Sequence, residues 1–270
     1  VIDHQDTLKL HWSSSKPNFG DALSPLICEK LAGKKIVHAD IAHCDLVALG
    51  SLMQRVKNGF FRKKIHVWGS GFIESGPKVK SKHHYHALRG RLTLGRLKSP
   101  ANDIVLGDPG LLADILIADR PIEKKYQLGV VCHYKDKADS RLQMLSKHDG
   151  VKEIDIFLPP EKFLSELMEC EFIASSAMHG LIAADALGIP NQWLKLSDKI
   201  RGGGFKFRDY YSVFDMDPEP RMLEDVLDTF VRNELAVGYQ RPNIGEIKKN
   251  LVLSFPCLDD GARDQYLSKL

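Results

Sequence analysis

Apolar positions along the first hundred residues fall into short runs separated by stretches with helical spacing. Thr7–Trp12, Asp45–Leu49 and Ile65–Trp68 read as strands, and Asp21–Leu31 places its apolar residues on one helical face. Val105-Leu106-Gly107-Asp108-Pro109-Gly110 leads into a predicted helix over Leu111–Ile117. A polar, proline-containing stretch, Asp119 to Lys125, interrupts the pattern and marks a domain boundary. Beyond it the alternation resumes, with strands at Tyr126–His133, Ile154–Leu158, Phe172–Ser175 and Asn191–Leu196 and helices at Pro160–Cys170 and Gly180–Leu187. Glu219–Val237 predicts a long amphipathic helix, with Leu223, Val226, Leu227, Phe230 and Val231 at helical spacing. Strands alternating with helices predict an α/β chain built on parallel sheets. The expected units are residues 1–120, 125–215 and a helical extension, 216–270, packing back on both.

Composition narrows this picture. The 270 residues exceed what one hydrophobic core usually organises, and a 43% hydrophobic content suits a globular chain. With 38 basic against 35 acidic side chains the net charge is +3, which gives no reason to expect a nucleic-acid partner. Cys28, Cys44, Cys132, Cys170 and Cys257 are scattered and contain no CxxC pair, so neither a disulfide framework nor a structural zinc site is expected. No apolar run reaches the roughly 18 residues of a membrane span, and the expected location is the cytoplasm.

The candidate chemistry lies where strands give way to helices. Leu49-Gly50-Ser51 and Trp68-Gly69-Ser70-Gly71 put glycine at strand ends, where open α/β sheets bind ligands. They do not complete a dinucleotide fingerprint. Between Glu171 and Pro190, residues Ser175, Ser176 and His179 fall between a strand end and a helix start, a place that attracts phosphate or carboxylate. Gly180 would let an anion approach closely. An anionic neighbour would favour the imidazolium of His179 and make it a general acid, although a capping or core histidine fits the spacing equally. In Lys16-Pro17-Asn18-Phe19-Gly20-Asp21, Asp21 is a helix cap or a base for an acceptor hydroxyl. Arg89 is a bidentate anion ligand or a solvated side chain. Arg201, Lys206 and Arg208, around the Gly202–Gly204 run, form an anion-binding lid or a charged surface loop. His83, His84 and His86 read as a solvated cluster, and no metal site is expected.

Taken in order, Asn18-Phe19-Gly20-Asp21, Leu49-Gly50-Ser51, Gly69-Ser70-Gly71-Phe72, Leu88-Arg89-Gly90, Gly107-Asp108-Pro109, Ser176-Ala177-Met178-His179-Gly180 and Lys206-Phe207-Arg208-Asp209-Tyr210 resemble the polysaccharide pyruvyl transferase family. The resemblance covers roughly residues 8 to 214. Segments 18–27 and 171–190 resemble the exopolysaccharide, succinoglycan-type ketal transferases in particular. The resemblance implies two Rossmann-like domains in a GT-B-like arrangement with the active site in the cleft between them. It further implies phosphoenolpyruvate as donor, a sugar or lipid-linked oligosaccharide as acceptor, a pyruvate ketal as product and no cofactor. His179 and Asp21 would be catalytic. Arg89, Lys206, Ser175, Ser176, Gly180, Asn18, Gly71 and Arg208 would bind substrate. A lipid-linked acceptor would bring the enzyme to the inner face of the bacterial membrane as a peripheral partner. One departure is Ala177, where many members carry arginine; Arg201 or Arg208 would then supply the cation. A GT-B glycosyltransferase using a nucleotide sugar, and a non-catalytic sugar- or anion-binding protein, remain as alternatives.

Overall fold

The computed structural model describes residues 7–14, 18–57, 63–117 and 122–269. Lys16 and Pro17, and residues 119–121 of the expected boundary, lie outside the described residues. Two parallel sheets carry the chain. The first contains β1 (Thr7–His11), β2 (Lys35–His38), β3 (Leu46–Val47), β4 (His66–Trp68), β5 (His84–Leu88) and β6 (Val105–Leu106), in the order β2-β1-β3-β4-β5-β6. The second contains β7 (Tyr126–Val131), β8 (Val151–Ile154), β9 (Cys170–Ser175) and β10 (Asn191–Trp193), in the order β10-β9-β7-β8. Every named strand pair is parallel. The α/β class with parallel sheets follows directly.

Helices supply the crossovers. In the first half, α1 (Phe19–Ala32) joins β1 to β2, and α2 (Arg91–Gly95) follows β5. A 3-10 helix, Pro109–Leu116, follows β6. In the second half, α3 (Pro160–Met168) joins β8 to β9, and α4 (Met178–Ala186) joins β9 to β10. Four more helices follow: α5 (Phe205–Tyr211), α6 (Leu223–Val231), α7 (Ile244–Leu253) and α8 (Asp260–Leu267). Helix α1 shows why the local sequence folds as it does. Asn18 caps its start by accepting the Asp21 N–H, Leu23, Ile27 and Leu31 line its buried face, and Gly33 ends it in the left-handed region at φ 58°.

Several expectations shift. The strand expected over Ile154–Leu158 is instead β8, because Asp155 turns the chain by accepting the Phe157 and Leu158 N–H groups. The carbonyl of Ile156 then meets the Phe19 N–H at 2.8 Å, which ties this turn to the start of α1. The expected Glu219–Val237 helix is reduced to α6. Arg221 is drawn into bridge pairing with the β10 end, and Asn233 closes the helix with φ 59°. The histidine-rich segment is a strand, β5, on which His66 of β4 stacks against both His84 and His86.

One large hydrophobic core draws on both sheets, from Leu8, Leu10 and Trp68 on one side to Val131, Ile154 and Ile173 on the other. Phe19 of α1 stacks on Phe163 of α3 with centroids 4.1 Å apart. The last helices pin this assembly. The Trp68 indole N–H donates to the Leu251 carbonyl at 3.0 Å, and Lys248 donates to Asp114 and to the Ala186 carbonyl.

Asp185 is the densest polar junction. Buried in α4, it accepts from Asn191, Tyr210, Tyr239 and Arg241 at 2.5–2.9 Å. Asp185→Ala would leave the buried Arg241 cation and two tyrosine hydroxyls without their acceptor. We expect a loss of about 3–5 kcal/mol, read as a fall in the thermal unfolding midpoint; an unchanged midpoint would contradict this role.

Candidate active site

The carboxyl ends of strands from both sheets converge on a cavity of about 140 Å³. Asn18, Asp21, Gly50, Ser51 and Ile73 reach it from the loops and helix starts of the first sheet. His133, Tyr134, Ile156, Ala177, Met178 and His179 reach it from the second, and Lys206 from α5. Of the residues expected at the site, Asn18, Asp21, His179 and Lys206 therefore share one wall-to-wall space. His133, Tyr134 and Ser51 had not been singled out as site residues. Only a glycine-rich strand end pointed toward Ser51, and nothing but a strand terminus toward the other two.

Each side chain is held by a specific local feature. Because Asn18 is the cap, Asp21 is released from that task and presents its carboxylate, which accepts the Asn18 amide at 2.7 Å, to the cavity. A Cβ at Gly20 would overlap the His179 ring, so this glycine makes room for the imidazole. His179 lies in the first turn of α4, whose start at Ala177 has no side-chain cap. Its Nε2 is buried without a hydrogen-bond partner. Lys206 forms no hydrogen bond or ion pair among the described residues, and its ammonium lies 5.2 Å from the Phe207 ring.

Burial and like charge set the protonation states. Burial pushes the Asp21 carboxyl up to about 6, against the opposing pull of Asn18, Arg55 and Lys206. It pushes Lys206 down to about 8, helped by Arg89 and Lys135 and opposed by Asp21. His179 is driven to about 3 by burial, then by Lys206 and Arg89. His133 falls to about 3 through burial, Lys206 and Lys135. The cavity thus presents neutral imidazoles and a cation that, among the described residues, no hydrogen bond or ion pair engages, with the Asp21 carboxylate on the same wall, an arrangement that can take an anion. The imidazolium expected for His179 requires a bound anion; in its absence the ring is neutral.

Other expected residues stand further back. Arg89 is fully buried. Its Nε donates to Asp209 at 2.9 Å, Nη1 to Ser51 Oγ at 2.7 Å and Nη2 to the Phe72 carbonyl. Gly71 makes room for that guanidinium. Ser175 Oγ is engaged with the Val131 and Ala177 carbonyls. Ser176 Oγ donates to Asp136 and accepts the His133 N–H. A Cβ on Gly180 would lie 2.5 Å from Ser175 Oγ, so its missing side chain serves close packing of α4 on β9. Arg208 pairs with Asp217 and Glu219, and Arg201 with Glu74. Neither lines the cavity. Among the described residues no group of three or more His, Cys, Asp or Glu side chains is placed to hold a metal ion. No helix among them is long and apolar enough to cross a membrane.

The family model for polysaccharide pyruvyl transferases matches residues 8–195. The chain belongs to the polysaccharide pyruvyl transferase family. It is 32% identical over 245 residues to an uncharacterized protein of Acanthamoeba polyphaga mimivirus, covering 87% of this chain and 83% of that one. It is 25% identical over 219 residues to the succinoglycan biosynthesis protein ExoV of Rhizobium meliloti, covering 79% of this chain. That alignment spans 66% of ExoV, just under two thirds of its length. The crystal structure of an uncharacterized Klebsiella pneumoniae protein aligns with a TM-score of 0.43 at 13% identity, over 81% of this chain and 93% of that one. In this pyruvyl transferase family member the matched region contains Asp21, Arg89 and His179, whereas Lys206 comes after it. Ala177 lies on the cavity wall, and besides Lys206 and Arg89 the cations whose fields reach the cavity groups include Arg55 and Lys135.

The raised carboxyl of Asp21 has a measurable sign. The folded state holds this proton more tightly than the unfolded chain, so its stabilising contribution is complete below about pH 4 and is lost as pH rises through about 6. Asp21→Asn removes the ionised, poorly solvated carboxylate. At pH 7 we expect a stability gain of about 1 kcal/mol, a rise of roughly 2–4 °C in the unfolding midpoint, shrinking toward pH 4. A lower midpoint at pH 7 would show Asp21 to be structural.

Proposed function

We propose that this protein is an enzyme transferring the pyruvyl group of phosphoenolpyruvate to a sugar of a bacterial surface polysaccharide or its lipid-linked precursor, forming a pyruvate ketal and releasing phosphate. The observation that carries the reading is one cavity shared by Asp21, by Lys206 with no hydrogen bond or ion pair among the described residues, and by His179 with its buried Nε2 likewise unpartnered among them, in a chain of this family. Residues 1–120 and 125–215 would be Rossmann-like halves in a GT-B-like arrangement around that cavity, with 216–270 bracing them. The name of the relative ExoV, a succinoglycan biosynthesis protein, supports a polysaccharide acceptor.

In the proposed reaction, Lys206 and the uncapped start of α4 hold the donor's phosphate and carboxylate. The donor's negative charge restores a proton to His179, which passes it to C3 of the enol. An acceptor hydroxyl adds to C2 as Asp21 takes its proton. The C2–O bond to phosphate then breaks as the proton held by Asp21 passes to the departing phosphate, a second hydroxyl adds to C2, and its proton returns to His179. Ser175, Ser176 and Gly180 shape the turn that presents His179, and Asn18 orients Asp21. Arg208 would reach an extended acceptor from outside the cavity. The scheme consumes no cofactor beyond the donor. The enzyme would act in the cytoplasm, meeting a lipid-linked acceptor at the inner membrane face.

Phosphoenolpyruvate should raise the unfolding midpoint of the purified protein, as any ligand selective for the folded state does. Nucleotide sugars should not; stabilisation by a nucleotide sugar alone would favour a glycosyltransferase. His179→Ala should keep donor binding and lose phosphate release in the presence of acceptor. Retained turnover would remove His179 from the mechanism, and donor binding by a wild type without any turnover would favour a binding protein.

Donor affinity should also depend on pH. Lys206 holds its charge below about 8 and loses it above. Calorimetric affinity for phosphoenolpyruvate is therefore expected to fall as pH rises from 7 to 9, and Lys206→Met should bind weakly with a shallower slope, the remainder coming from proton uptake at His179. An unaltered slope in the variant would assign the titration elsewhere.

A further inference from the structure

We propose that Ser51 is a donor-binding residue: its hydroxyl hydrogen, aimed into the cavity by the buried Arg89, bonds an anionic oxygen of the ligand. The inference rests on the phosphoenolpyruvate reading above. Ser51 follows Gly50, whose φ of 95° sets a tight turn beyond β3. That turn is fixed by the Ser70 hydroxyl and the Gly71 N–H, both donating to the Gly50 carbonyl at 2.8 and 3.0 Å. The Ser51 backbone is therefore held in place independently of any ligand.

A serine hydroxyl has one hydrogen to donate and two lone pairs to offer. One lone pair of Ser51 Oγ accepts Arg89 Nη1 at 2.7 Å. Guanidinium has donors alone, so Arg89 cannot take the hydroxyl hydrogen in return. Among the described residues no acceptor takes it either. Ser51 lines the cavity beside His179 and Lys206, and that space is where its hydrogen has to go.

Donation from a cation polarises the hydroxyl and strengthens its own donation. With Lys206 alongside, the fitting partner is a carboxylate or phosphate oxygen. This also gives the fully buried Arg89 a route to the ligand. Asp209 compensates its charge, Ser51 carries its orientation to the cavity, and Arg89 is thereby a positioning residue.

The test is calorimetric titration of wild type, Ser51→Ala and Ser51→Thr with phosphoenolpyruvate and, separately, with inorganic phosphate. Ser51→Ala is expected to bind phosphoenolpyruvate about ten- to a hundredfold more weakly, with a modest fall in its ligand-free unfolding midpoint from the Arg89 Nη1 left without its acceptor and the protein still folded at the titration temperature. Ser51→Thr, which keeps the hydroxyl, should restore most of the affinity. Should the threonine variant not fold, Ser51→Cys, a weaker donor of similar size, should fall between serine and alanine. Wild-type affinity in Ser51→Ala overturns the proposal, as does a fall in midpoint that accounts for the lost binding. Wild-type protein that binds phosphate through Ser51 but not phosphoenolpyruvate keeps the hydroxyl's role and overturns the donor. Binding of neither ligand by wild type overturns both.

Discussion

A guanidinium and a carboxylate, both shut away from water, decide where the reactive groups of this protein sit. Arg89 comes from the end of β5 and Asp209 from α5, the helix that carries Lys206. Taking two charges out of water is costly, and the cost is offset only where every remaining donor and acceptor is satisfied. Here each nitrogen of the guanidinium and each carboxylate oxygen has at least one partner. Asp209 also accepts from the Thr93 N–H and hydroxyl, and Arg89 donates through Nη1 to Ser51 and through Nη2 to Phe72. Gly90 lets the Asp209 backbone approach, and Gly71 leaves space for the guanidinium. What the pair supplies is registration: the first sheet cannot move against α5 without stranding a charge. Lys206 inherits its position from that lock.

The cavity illustrates the opposite economy. Arg89 is neutralised by Asp209, yet Lys206, one turn before Asp209 on α5, has no hydrogen bond or ion pair among the described residues, and neither has the buried Nε2 of His179. A fold selected for stability alone would pair or expose such groups. Their retention in a shared enclosure, beside a carboxylate pushed well above its ordinary range, is the expected signature of a site whose polar groups await a partner.

Much of this was readable from residue order. Strand and helix alternation gave the parallel α/β class, and strand-end glycines and helix starts led to Asn18, Asp21 and His179. Local pattern could say that Arg89 and Lys206 were anion ligands or surface charges, but not which. Burial of the one and isolation of the other come from contacts across 120 residues, such as Arg89 with Asp209. Short polar strands escaped for a related reason. In β5, His84, Tyr85 and His86 are unlike the apolar runs of buried strands, and pairing with β4 rather than composition makes them a strand. Gly180 packs closely on Ser175 of β9, and in a sequence a glycine after a histidine looks the same whether it admits an anion or a neighbouring strand. His133 had no signal beyond its place at a strand's end until the fold put it on the same cavity as His179.

Asp185 joins chain segments with different histories of constraint. It lies within the family-matched region, while three of its four partners, Tyr210, Tyr239 and Arg241, follow that region in the chain. Groups bonded to a common buried carboxylate respond to substitution jointly rather than additively. A change in the tail is thus judged against the residue at 185, and a change at 185 against three residues in the tail. Sequence drift in the closing segment of this protein is tethered to the helix that carries His179 in its first turn.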